Sequence, residues 1–73
     1  DNTMRMDEAL GRVGEVYLQV PQHRSGRGKL HISIRNTLRE LDAVTEGDTI
    51  PTGASARVVD VVDNQILVVE REA

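Results

Sequence analysis

Two Val/Ile-rich runs, Ala54 to Val62 and Gln65 to Glu70, meet at Asp63-Asn64. Asn tolerates positive φ and Asp is compatible with it, so the pair signals a two-residue type I′ hairpin. Ahead of it, Gly47-Asp48-Thr49-Ile50-Pro51-Thr52-Gly53 is loop chemistry in which Ile50, held extended by Pro51, is expected to tuck inward. With a Gly11-Arg12-Val13-Gly14 opening upstream, these features predict a small closed β-barrel.

Size makes closure necessary. A chain of 73 residues is one domain and buries only about 60% of the surface its unfolded form exposes. It has no Cys, so neither disulfides nor thiolate ligation reinforce the core, and the redox compartment is left open. Phe and Trp are absent and Tyr17 is the lone aromatic, which leaves Val, Leu and Ile, residues suited to a pleated sheet. The formal net charge of −3 gives no general attraction to phosphate backbones. No run approaches the roughly 20 apolar residues of a membrane span and no secretory signal is present. A first residue of Asp fits a mature or excised fragment, which leaves a larger membrane protein open as its source.

Residues 1–8 carry mixed charge without strand period and are expected to form a flexible lead, the alternative being one helical turn through Met4 to Leu10. The barrel domain is expected over residues 9–73. From Arg12 to Val20 the apolar frame slips, which places a bend or bulge at Gly14. Pro21 ends this first strand, and Gln22 to Gly28 form a loop. From Lys29 the alternation is clean: Leu30, Ile32 and Ile34 face one side, Lys29, His31, Ser33 and Arg35 the other. Asn36-Thr37 supplies the next turn. Leu38, Leu41 and Val44 stand three apart, and Thr37 with Glu40 fits a capping box, so a short helix competes there. A strand is favoured, because a small barrel needs a return strand beside Lys29 to Arg35. Val58-Val59-Asp60-Val61-Val62 breaks frame again, as a bulge or a doubly buried strand does. The fold class is therefore all-β, a five-stranded barrel with Val13, Val16, Leu18, Leu30, Ile32, Ile34, Leu41, Leu67 and Val69 in its core.

Five short strands, a bend in the first and a Gly-rich first loop resemble an OB-fold barrel. Within that class the chain is similar to the soluble C-terminal domain of NfeD-like membrane proteins. The stretches that carry the likeness are Leu10-Gly11-Arg12-Val13-Gly14-Glu15-Val16, Gly28-Lys29-Leu30, Leu41-Asp42-Ala43-Val44-Thr45-Glu46, Asp48-Thr49-Ile50-Pro51-Thr52-Gly53-Ala54, Val58-Val59 and Leu67-Val68-Val69-Glu70. The chain departs from the pattern at Asn64, where relatives place Gly, and in a longer, more basic loop from Pro21 to Gly28. The resemblance implies a domain following transmembrane helices, tethered to a membrane and expected to face the cytoplasm. It also implies a parent protein acting beside a stomatin- or flotillin-type scaffold, in membrane-protein quality control or microdomain organisation. Some relatives carry an N-terminal serine-protease domain, of which nothing is present here.

The residues themselves argue against catalysis. Gly53-Ala54-Ser55-Ala56-Arg57 lacks the second Gly of a nucleophile elbow. Ser25, Ser33 and Ser55 have no evident His–Asp partners, and Lys29 is the sole lysine. His23 and His31 lack the companions of a zinc set, and Asp42, Glu46, Asp48, Asp60 and Asp63 follow no calcium-loop order. No enzyme activity, metal or cofactor is expected. His23, Arg24, Arg27, Lys29, His31 and Arg35 gather on the first loop and the strand after it, and form the candidate partner-binding surface. Its ligand classes are an acidic protein, anionic headgroups or single-stranded nucleic acid; the last relies on aromatic stacking, for which only Tyr17 is present. The alternative is a solvated loop that binds nothing.

Overall fold

In the computed structural model, which describes residues 4–73, strand-forming residues pair in the order the hairpin signals require. The strands are β1 (Val13–Leu18), β2 (Gly28–Ile34), β3 (Thr37–Val44), β4 (Ser55–Val62) and β5 (Ile66–Arg71). They close as β1-β2-β3-β5-β4, with β4 returning to β1. All neighbours are antiparallel except β3 and β5, which pair in parallel at Ala43↔Leu67 and Val44↔Val68. The segment read as strand against helix is strand along its whole length.

Two type I′ turns set the register. Asp63 and Asn64 have φ of 54° and 53°, as their residue types predict. The β2–β3 turn is Arg35-Asn36, with φ of 53° and 62°, one residue earlier than the expected Asn36-Thr37. Thr37 is thereby free to pair with Ile34. Arg35 therefore leaves the outward face of β2 and stands on the turn.

Core composition follows the register. Val16, Leu30, Ile32, Ile34, Leu67 and Val69 are buried as expected, and Ile50 tucks in through reciprocal backbone bonds with Val20 at 3.0 and 2.9 Å. Val13 and Leu18 are instead 42% and 51% exposed, and Leu41 is half-buried. The cause is a misplaced frame slip. Gly14 and Val16 both face inward, so Val13 faces out, and the bulge falls at Tyr17, between the pairs Val16↔Leu30 and Leu18↔Lys29. Gly14 faces inward without a side chain because β2 runs so close there that a Cβ would lie 2.6 Å from the His31 carbonyl oxygen. The second frame break is a bulge, between Val58 and Asp60.

The lead expected over residues 1–8 lies outside the described residues at 1–3. From Met6 onward the chain takes the alternative, one helical turn within Met4 to Leu10: Met6–Ala9 form a 3-10 turn whose Met6 and Ala9 join the core and which packs against β2 and β4. The spacing of these two apolar residues puts both on one face of the turn. Among the described residues no helix is long and apolar enough to cross a membrane.

Candidate functional site

The first loop is built on backbone strain that other contacts hold in place. His23 and Arg24 both occupy the left-handed region, at φ 51° and 54°. Side chains other than Gly, Asn and Asp rarely remain there without outside support. The support is the β3–β4 loop: the His23 N–H donates to the Gly47 carbonyl at 2.9 Å and the Arg24 N–H to that of Thr45 at 2.8 Å. Nearby, the Gln22 N–H donates to Thr49 Oγ1 at 3.1 Å. His23 Nδ1 lies 3.0 Å from the Glu46 carbonyl oxygen. That oxygen can only accept, so Nδ1 carries the proton.

The six candidate residues do not form one free cationic surface. Arg24 pairs with Glu46 at 2.9 Å, Arg27 with Asp42 at 3.2 Å, and Lys29 with the other oxygen of Asp42. His31 Nε2 donates to Glu40 Oε1 at 2.9 Å, while one face of its ring stacks on Tyr17 with centroids 4.3 Å apart. His23, Arg24, Arg27, Lys29 and His31 thus follow one another from the loop onto the outward face of β2. Arg35 stands apart, about 13 Å beyond His31 along the strand, where it grips Glu8 through two bonds of 2.8 and 2.9 Å. Every fixed cation of the set meets a carboxylate.

Those carboxylates were missed as partners, although the sequence held the signal. With the turn at Arg35-Asn36, counting outward along the hairpin sets Asp42 opposite Lys29 and Glu40 opposite His31. Opposite charges there are the cross-strand pairs a sheet favours. A second missed feature is the exposed apolar set on the outward faces of β1 and β3: Val13, Tyr17, Leu18 and Leu38, the last 65% exposed. A groove of about 290 Å³ runs between Arg24–Arg27 and the outward side chains of Val44, Val62 and Ile66. Among the described residues no three His, Asp or Glu side chains gather where they could hold a metal.

The ion pairs fix the pH response. The Arg5 backbone N–H and the Arg35 guanidinium lower the Glu8 pKa, the Lys29 ammonium lowers that of Asp42, and the Arg57 guanidinium lowers that of Glu72. Asp42 in turn raises Lys29. A carboxylate with a depressed folded pKa contributes stability above its unfolded value, near pH 4, and loses it as pH falls through the folded value. The Lys29 contribution is complete below about pH 10 and is lost as pH rises through its raised value. Melting temperature is therefore expected to stay level between about pH 5 and 9 and to fall in acid. The fall is modest because water screens these exposed groups. Circular-dichroism melts of wild type and Asp42→Asn check this, the variant losing part of the acid limb.

Strand order, the Tyr17 bulge and the docked first loop define a five-stranded OB-type barrel. Among solved structures the chain is similar to the soluble domain of the NfeD protein YuaF from Bacillus subtilis, at 30% identity and TM-score 0.74, over 90% of this chain and 76% of that one. It is also similar to the C-terminal domain of stomatin operon partner protein 1510-C from Pyrococcus horikoshii, at 26% identity and TM-score 0.69, over 99% and 98% of the two chains. The soluble domain of a Corynebacterium glutamicum membrane protein, implicated in regulation of membrane protease activity, shares the fold at 18% identity and TM-score 0.72, over 93% and 98%. No family model and no curated protein matches the chain. The chain belongs to the NfeD-like family.

Proposed function

We propose that this barrel is a non-catalytic interaction module of an NfeD-like membrane protein, tethered by transmembrane helices of its parent and facing the cytoplasm. Its partner is a stomatin- or flotillin-type scaffold, and the assembly serves membrane-protein quality control or microdomain organisation. What carries this reading is the likeness, over almost the whole of both chains, to a Pyrococcus horikoshii domain named as a stomatin operon partner.

The contact surface we assign is the Gln22 to Gly28 loop with the outward face of β2. His23 and Arg24 lie there on backbone held by the β3–β4 loop, and Lys29 and His31 on a strand paired on both sides, which favours binding with little loss of conformational freedom. Arg35 belongs to the Glu8 contact and is not part of this surface. Reversal of both Arg24 and Arg27 to Glu puts like charges against Glu46 and Asp42 and turns a balanced patch acidic. The double variant is expected to associate with the scaffold at a slower, salt-sensitive rate while keeping its wild-type circular-dichroism spectrum. Equal recovery of the scaffold from membranes by both proteins overturns the surface.

A single-stranded nucleic-acid reading draws on one observation: the Tyr17–His31 stack lies on the outward face where OB barrels carry bases. The carboxylates beside each cation weigh against it, and a labelled oligonucleotide is expected not to shift at physiological salt.

A further inference from the structure

Alternation should bury Arg39, Leu41 and Ala43 alike, because they pair with the inward-facing Ile32, Leu30 and Gly28. Ala43 alone is fully buried, since β5 meets β3 only at Ala43 and Val44. Toward the β2–β3 turn, from Leu41 back to Thr37, no other strand covers β3 among the described residues. Ile34↔Thr37 brackets a two-residue turn and is a hydrogen-bonded pair, so Arg39 and Leu41 also direct their backbone groups to β2. Leu38 and Glu40 therefore turn their N–H and C=O groups outward along an open edge.

A second observation falls at the same place. Arg39 Nε is buried and has no hydrogen-bond partner among the described residues. A buried donor left single is uncommon and calls for an acceptor. Outside it, Glu40 and the exposed Leu38 form the other face of the edge.

We propose that this edge takes an extended segment of a partner protein as a sixth strand, with a basic residue opposite Glu40 and an acidic one opposite Arg39. The proposal rests on reading the chain as an interaction module. Backbone groups of Leu38 and Glu40 supply the ladder, as in other strand additions. Charges of opposite sign at neighbouring positions fix the register. A second copy of this chain is the wrong occupant. Symmetric antiparallel pairing centred on Glu40 or Arg39 sets that charge against its own copy, and like charges directly opposite destabilise a pair; pairing centred on Leu38 leaves Arg39 facing Thr37 and Glu40 facing Asn36, so neither gains an opposite charge. The same charges guard the edge against indiscriminate sheet extension.

The test uses a capped hexapeptide, Val-Thr-Lys-Glu-Val-Thr. Antiparallel on the edge, it sets lysine against Glu40, glutamate against Arg39 and valine against Leu38. Its control exchanges the lysine and glutamate. At millimolar peptide the first should slow hydrogen exchange of the Leu38 and Glu40 amides and bind several-fold more tightly than the control, with Arg39→Gln and Glu40→Gln each shrinking the preference. Unmoved amides, equal affinities, or amides already protected by raising the concentration of the free chain, which would mark a second copy, each overturn the proposal. Scaffold association that leaves these amides fast overturns it too and spares the module. Peptide binding without scaffold association does the reverse.

Discussion

Ile32→Ala is expected to lower unfolding free energy by about 2–5 kcal/mol, the range for deleting a large buried aliphatic side chain. Ile32 is 2% exposed and lies mid-strand between Leu30 and Ile34, within a cluster that includes Val16, Val58 and Leu67. With no Phe or Trp anywhere in the chain, no large aromatic side chain is at hand to fill the space. A domain of this size sits at the lower end of the usual range of about 5–15 kcal/mol, so the loss takes from roughly two-fifths to nearly all of the total. Leu38→Ala removes a similar aliphatic side chain from a site that is 65% exposed. It should change stability by no more than about 0.5 kcal/mol. Urea titrations of the two variants decide the matter, and equal midpoints would show that burial in this barrel is not what holds it.

The contrast between these two residues also marks how far the sequence could be read. β2 was legible because nothing interrupts its period of two, and the Asp63-Asn64 hairpin because its residue types suit positive φ. Leu38, Leu41 and Val44 were ambiguous because their spacing of three mixes two faces. Leu41 points inward, Leu38 points to open water, and Val44 points outward but lies under the Arg24–Arg27 loop. β1 was misread at one point, since Gly14 hides an inward-facing position that shows no apolar side chain, and the slip was assigned there instead of at Tyr17. The candidate site was legible as a gathering of cations but not as ion pairs. Placing the turn one residue late shifts every cross-strand partner, parting Lys29 from Asp42 and His31 from Glu40. The turn at Met6–Ala9 was legible only as an alternative, and the burial of Met6 and Ala9 not at all, because a single 3-10 turn is too short to display a period.

The bulge at Tyr17 carries the second large effect, at Gly28. Beyond the bulge the end of β1 swings over the start of β2, and the backbone carbonyl oxygens of Leu18 and Gln19 occupy the space that a side chain at Gly28 would need. A Cβ there would lie well inside van der Waals contact with both. Neither obstacle is the end of a flexible side chain, so Gly28→Ala cannot be absorbed by a rotamer change. The end of β1 must move, and with it Val20, whose two backbone bonds to Ile50 tie the first loop to the β3–β4 loop. The expected loss exceeds about 4 kcal/mol, the exceptional class that backbone displacement in a core reaches. It should differ in kind from Ile32→Ala, which leaves a cavity and an undisturbed backbone. In the Gly28 variant the reciprocal Val20 and Ile50 amides should exchange early, by local opening, before the amides of β4 and β5. Hydrogen exchange resolved by residue reads this directly. A Gly28→Ala chain with wild-type stability and protected Val20 and Ile50 amides would mean that β1 passes β2 at a greater distance than the bulged register requires.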